Sequence, residues 1–264
     1  MLAHNLEFHH RMGVDAFIVT DNNSTDATPA ILETYRKKGW IVEIINETAT
    51  DYEQKCWVDR MVCLAKERYG ATWVINADAD EFWYSPSGNL KNEMAHTHAN
   101  VLACEMRSVY PEIGAEWTTW PRTVRTVHNQ TEFGLSQYSI FERQNKKVMH
   151  RAAGYVQIAM GNHKVRMLPH REHVSGVIVY HYNIRGREQF IEKMVNGGQQ
   201  LEQHKGRHGG RHWRYFYSLY KQGAGRLSEE YDRVIGTACI DTLTQRGYIH
   251  TDNPLPRFFE EMGL

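Results

Sequence analysis

From Met1 to about Ala103, apolar runs of strand length alternate with segments of helical periodicity, which predicts an α/β domain with a largely parallel sheet. AFIVT, Ala16 to Thr20, reads as a short buried strand, and the turn-rich hexapeptide DNNSTD follows it directly. Ser24 or Thr25 is placed to cap the next helix, Pro29 is tolerated in its first turn, and Ile31, Leu32 and Tyr35 supply its apolar face. Gly39 ends that helix, and WIVEII, Trp40 to Ile45, is the next strand. Asp51 to Tyr69 places Trp57, Met61, Leu64 and Ala65 on one helical stripe. TWVIN, Thr72 to Asn76, is then a buried strand with DADE just beyond it. Ligands of open α/β sheets bind outside the carboxyl ends of strands, so DNNSTD and DADE both fall where a site is expected.

The middle of the chain is less periodic. VLACEM (Val101 to Met106) and SGVIVYHY (Ser175 to Tyr182) look like strands, with long loops between them around Trp117, Trp120 and Pro121. From Arg185 the pattern turns helical: Phe190, Met194 and Leu201 line one helix, and Trp213, Phe216, Tyr217 and Tyr220 crowd a second. The expected organisation is one domain over 1–183 and a helical C-terminal extension over 184–264.

The remaining composition narrows the classes. The 264 residues carry 31 basic and 31 acidic side chains, so the overall balance points to no nucleic-acid partner. The four cysteines form no C-x-x-C pair, which fits a reducing compartment and neither a zinc ribbon nor a disulfide framework. His204, His208 and His212 have helical spacing, but Gly206, Gly209 and Gly210 predict a loop there. No apolar run approaches the roughly 20 residues that span a bilayer, and the expected location is cytoplasmic, where the sequon at Asn46 has no meaning. The aromatic and basic helix from Arg211 to Lys221 is expected to pack on the domain, with peripheral membrane contact as the alternative.

In an extended strand, Asp78 and Asp80 would present two carboxylates on one face. Such hard oxygen donors suit Mg²⁺ or Mn²⁺, with phosphate oxygens and water completing the shell. A solvated strand end is the bland alternative for a lone D-x-D.

The pieces LEFHHRMGVDAFIVTDNNSTDAT, WVINADADEFW, MGNHKV and VIVYHYNIRGREQFIEKMVNGGQQ, in this order, resemble the bacterial branch of the family 2-like glycosyltransferases of GT-A fold. The resemblance runs from Leu6 to about Tyr220 and implies a Rossmann-like mixed, mainly parallel sheet flanked by helices. It implies metal-dependent transfer of a sugar from a UDP- or GDP-sugar to a glycan, lipid-linked or protein acceptor, as in polysaccharide biosynthesis. Carried over by residue, Asp80 would bind the metal and Asp78 the donor ribose or a metal-bound water. Asp21 and Asn22 would hold the base, Asn22 departing from the usual aspartate, and His181 or His163 would complete the metal or diphosphate site. For Asp21, closing the turn is an equal alternative, and for Gly161 so is a tight turn. Lys193, with Gly197 and Gly198, offers a phosphate contact, for which a solvated helix face and a helix-ending glycine pair are alternatives. An inverting reaction needs a carboxylate base, and Glu105, Glu112 and Glu116 are unranked candidates. Arg107, Arg122 and Arg125 are candidate anion contacts or surface arginines.

Family members begin with a strand that precedes the helix in which this chain starts. The resemblance therefore leads to the expectation of an N-terminally truncated reading frame, and of a catalytically inactive nucleotide- or sugar-binding protein as the rival to an active enzyme. A nucleotidyltransferase is the lesser rival, since the N-terminal region lacks a Gly-rich phosphate loop.

Overall fold

The computed structural model describes residues 1–49, 54–95, 97–203 and 210–264. The first half contains α1 (Leu2–Arg11), β1 (Phe17–Asn22), α2 (Thr28–Lys37), β2 (Ile41–Glu47), α3 (Gln54–Glu67), β3 (Trp73–Ile75), β4 (Glu81–Tyr84), α4 (Leu90–Ala95) and β5 (Val101–Ser108). Then follow β6 (Arg122–Val124), β7 (Lys147–Arg151), β8 (Tyr155–Ile158), β9 (Val165–Met167) and β10 (Glu172–His181). The C-terminal part holds α5 (Arg187–Gln203), α6 (Arg211–Gln222), α7 (Ala224–Ile235), α8 (Ile240–Gln245), β11 (Ile249–Thr251) and α9 (Leu255–Glu261). His204, Gly206, His208, Gly209 and the predicted helix start at Asp51 lie outside the described residues.

Two compact units form. The first joins Met1–Met106 to Asn145–His181, and the second joins Arg107–Gln144 to Tyr182–Leu264. The expected boundary at 183 nearly coincides with one crossing, but the loop-rich stretch 107–144 belongs with the C-terminal helices. Tyr110, Val124, Val127, Leu135, Ile140 and Phe141 share a buried core with Phe190, Phe216, Leu227 and Tyr231. The pairing of β6 with β11, and backbone bonds from Ser136 and Ile140 to the end of α7, complete that unit. These anchors follow neither a 2-residue nor a 3.6-residue period, so their common destination has no signature in the sequence.

The first unit is α/β, with mixed strand pairing and helices packed on the strands, as expected. It is less parallel than the sequence suggests. β1 and β2 pair in parallel, whereas in the five-stranded sheet, ordered β3-β7-β5-β10-β4, the β3–β7, β5–β7 and β4–β10 pairs run antiparallel. Parallel pairing requires a long crossover, and beyond β3 the chain supplies a five-residue connection to β4, the six-residue α4 and the β8–β9 hairpin.

α1 is the strut of this unit. Leu6 packs with Leu32, Tyr35 and Ile41, while Phe8 meets Phe82 edge-on at 5.3 Å between ring centroids. On the same helix, Asn5 Nδ2 donates to the carbonyls of Ala79 (3.2 Å) and Glu81 (2.9 Å), and His9 Nε2 accepts the Trp83 N–H at 3.2 Å. Three backbone groups at the start of β4 and just before it thus find partners on α1.

In the second unit α5 and α6 approach closely because α5 carries Gly197 and Gly198 in mid-helix, not at a helix end. A Cβ on Gly198 would lie 2.2 Å from Tyr217 Cβ, and one on Gly197 would lie 2.7 Å from the Trp213 ring. The pair is a packing notch, which accounts for it without a phosphate. Phe216 of α6 is buried, and Trp213, Tyr215 and Leu219 pack against the same core, while Tyr220 near the end of the helix is exposed. No helix among the described residues is long and apolar enough to cross a membrane.

Two predictions follow from this packing. Helix propensity favours Ala over Gly by about 1 kcal/mol, but the clash at Tyr217 dominates, so Gly198→Ala should lower the urea-unfolding free energy by about 1–3 kcal/mol; an unchanged or higher midpoint would refute the notch. Burial pushes the His9 imidazole down to about 4. As pH falls below the ordinary value, the unfolded chain takes up the proton first, so stability should be lost between roughly pH 6.5 and 4, by at most about 3 kcal/mol. The difference in pH slope between wild type and His9→Gln isolates this contribution from the carboxylates; coincident slopes would show that His9 is not held neutral.

Candidate active site at the Asp78 to Glu81 turn

The acidic motif is not an extended strand. β3 ends at Ile75 and β4 begins at Glu81, and between them the Glu81 N–H donates to the Asp78 carbonyl at 3.0 Å, closing a tight turn. Asp78 and Asp80 therefore do not share a strand face, and their environments differ. Asp78 starts the turn with its side chain 41% exposed, whereas Asp80 sits at its crest with 16%.

Glu81 turns inward and is 1% exposed. Its Oε2 accepts the Asp78 N–H at 3.3 Å, and its Oε1 lies 2.6 Å from Nζ of Lys147, itself 2% exposed. The same ammonium is 3.6 Å from Asp78 Oδ2. Strand register explains the meeting: Ile75 pairs with Met149, so Lys147, two residues earlier on the antiparallel β7, comes level with the chain just past β3. Burial, reinforced by Asp78, pushes the Glu81 carboxyl up to about 7 against the pull of Lys147 and His181. Burial alone would lower the Lys147 ammonium, but Glu81, Asp78 and Asp80 outweigh it and hold it above its ordinary value, a fixed cation under three acids.

His181 arrives from β10, whose register sets it opposite Glu81. Its Nε2 is 3.5 Å from Asp80 Oδ1, while Nδ1 is buried without a hydrogen-bond partner among the described residues. His163 belongs to the same neighbourhood. Its Nδ1 donates to the Lys146 carbonyl at 3.0 Å, and burial, with smaller effects from Lys147 and His181, lowers its basicity. Gly161 and Asn162 both adopt left-handed backbone, at φ 74° and 59°, and Asn162 Nδ2 reaches the Asn76 carbonyl at 3.4 Å. Gly161 thus serves the tight turn that delivers His163.

Asp21 and Asn22 are the last residues of β1, at the carboxyl end of its parallel pairing with β2. Asp21 Oδ1 accepts the Ser24 N–H at 3.3 Å and so closes the DNNSTD turn. Asn22 spends its amide nitrogen on the carbonyls of Glu47 (3.0 Å) and Ala49 (2.8 Å), tying β1 to β2. Its amide N–H groups are thus committed to the fold. α2 starts later than expected: Asp26, not Ser24 or Thr25, accepts the Thr28 N–H at its entrance.

Cys104 pairs directly with Lys147, so Glu105 points from β5 to the opposite face, away from the acidic turn. Glu112 and Glu116 are in the second unit. Glu112 is held by Arg122 through two bonds of 2.5 and 2.7 Å, and Glu116 is exposed at the start of a 3-10 turn. Arg107 and Arg125 both pair with Asp252. Lys193 donates to the Asn183 carbonyl at 3.4 Å in the second unit. The three arginines are thus engaged in ion pairs within the second unit.

Sequence reasoning missed Asn5, His9 and Lys147. The first two lie on a helix whose polar residues look solvated, and Lys147 opens the apolar run VMH like any flanking surface lysine. Its one signal is that it precedes a continuously buried strand.

The donors fit a hard dication in part. Ligands about 2.1 Å from an octahedral ion lie about 3 Å apart in neighbouring positions, close to the 3.5 Å between Asp80 Oδ1 and His181 Nε2. Among the described residues no three His, Cys, Asp or Glu side chains converge, so two protein donors would leave the other positions to phosphate oxygens and water.

No curated protein matches the chain. Among solved structures, S. aureus TarS, residues 1–349, is similar at 16% identity and a TM-score of 0.39, covering 93% of this chain and 71% of that one. The family model of glycosyltransferase family 92 matches residues 1–209. The sequence resemblance therefore holds at the level of glycosyltransferases, in family 92 where the motifs suggested a family 2-like branch. With most of its length inside that match, this chain, a transferase, belongs to glycosyltransferase family 92.

Proposed function

We propose that the protein moves a sugar from a UDP- or GDP-sugar to a glycan, lipid-linked or protein acceptor with the help of Mn²⁺ or Mg²⁺. The observation that carries this reading is the Asp80–His181 pair at the crest of the acidic turn, one oxygen and one nitrogen donor 3.5 Å apart in a chain of glycosyltransferase lineage. Asp80 and His181 would hold the ion, with His163 as a further imidazole within electrostatic reach of His181 and Asp78. When bound, the ion offsets negative charge developing on the departing diphosphate.

The chain's own residues set the rest. Asp78, half turned to solvent, is an acceptor for a donor hydroxyl, and Asp21 together with Asn22 meets the base at the carboxyl end of β1. Inversion requires a carboxylate to take the acceptor proton. Glu105, Glu112 and Glu116 are the carboxylates to test by substitution.

Calorimetry with UDP, GDP and their sugars, with and without Mn²⁺, tests the proposal. Wild type should bind one diphosphate more tightly with Mn²⁺, and Asp80→Ala should abolish that difference and lower donor turnover by about a hundredfold or more, the scale of a few kcal/mol. Equal affinity with and without the ion, or full activity in Asp80→Ala, would sink it.

A further inference from the structure

Three acids lie within the four residues from Asp78 to Glu81, and one cation is sealed beneath them. The Lys147 ammonium touches Glu81 at 2.6 Å and stands 3.6 Å from Asp78, while Glu81 also accepts the Asp78 N–H. These contacts close a loop through side chain and backbone that spans the base of the turn. Asp80, between Asp78 and Glu81 in the chain, has its Oδ1 3.5 Å from His181 Nε2. A lysine this buried is not needed for strand formation: an apolar residue would satisfy β7 equally, and a buried ion pair is commonly neutral or unfavourable beside a well-packed apolar pair. Its placement makes sense as countercharge. Without it the acids would repel across one turn and the free enzyme would relax away from the geometry a ligand requires.

We propose that Lys147 and Glu81 are a positioning pair that pins Asp78 and thereby preorganises Asp80 for the divalent ion and the donor diphosphate. The proposal rests on the metal-dependent reading above and extends it to two residues that touch neither ion nor sugar. Asp78 and Asp80 are unequal as a result. Asp78 is partly claimed by Lys147, and Asp80 carries the ion-facing role.

The test uses Mn²⁺ alone as the probe, read by the electron paramagnetic resonance signal of the free ion, with circular dichroism for folding. The paired variant Lys147→Met with Glu81→Met removes both charges together, so it should fold with a Tm near or above wild type. Its Mn²⁺ affinity should nonetheless fall about tenfold or more, as for other residues that orient metal ligands, and kcat should fall more than the donor KM rises. Glu81→Gln keeps the shape and an acceptor for the Asp78 N–H, and serves should the paired variant not fold; its Mn²⁺ affinity should fall at least about threefold. Wild-type Mn²⁺ affinity and kcat in a folded paired variant, or in Glu81→Gln if only that folds, overturn the proposal. Asp80→Asn separates the two levels: if it loses Mn²⁺ while the paired variant binds normally, the positioning role alone fails. If wild type binds no Mn²⁺, or Asp80→Asn binds it unchanged, the metal-dependent reading fails and takes this proposal with it.

Discussion

The buried contact between Lys147 and Glu81 is the constraint on which the acidic turn depends. Both groups are withdrawn almost entirely from water, and each offsets the other's buried charge. The pair therefore links β7 and β4, two strands that are not neighbours in the sheet, through side chains. It also settles the turn between β3 and β4, where no regular backbone pairing is available. A segment with three acids in four residues has no local reason to stay compact, and the reason is supplied from β7.

α1 does the complementary work on the backbone. Asn5 and His9 satisfy Ala79, Glu81 and Trp83, while Leu6 and Phe8 on the same helix are buried against α2, β2 and β4. Polar and apolar groups thus alternate in use along one helix, and the polar ones serve the turn. The order at the site comes from two directions: a cation under the carboxylates and hydrogen-bond partners beside the carbonyls. His181 and His163 then enter by strand register and by a left-handed turn, respectively.

Much of this is legible in the sequence. The strands around Val19, Ile44 and Val74 and the helices ending near Gly39 and Gly70 are where periodicity and glycine signals place them. DNNSTD and DADE do sit at strand ends, and Asp80 and His181 do meet. Illegible were the antiparallel character of the five-stranded sheet, the union of 107–144 with the C-terminal helices, and the commitments of Asn22, Glu112 and the Gly197–Gly198 pair. Each depends on a partner distant in the chain, and a single residue's type does not reveal whether its donors will be spent on the fold or kept for a ligand. Asn22 shows this most directly, since the amide that suits a base equally suits two backbone carbonyls of the neighbouring strand.

What the chain determined alone is what short-range physics controls: the helix and strand periods, the turn residues that separate them, and the crowding of Asp78, Asp80 and Glu81 into one short stretch. Tertiary structure decided which of those acids faces outward. Lys147 reaches them only because β7 runs antiparallel to β3 with Met149 opposite Ile75. A shift of one residue in that register would turn its side chain to the other face. The burial of Glu81 and the hold on Asp78 follow from that alignment, since they require a charge that no neighbour in the sequence provides.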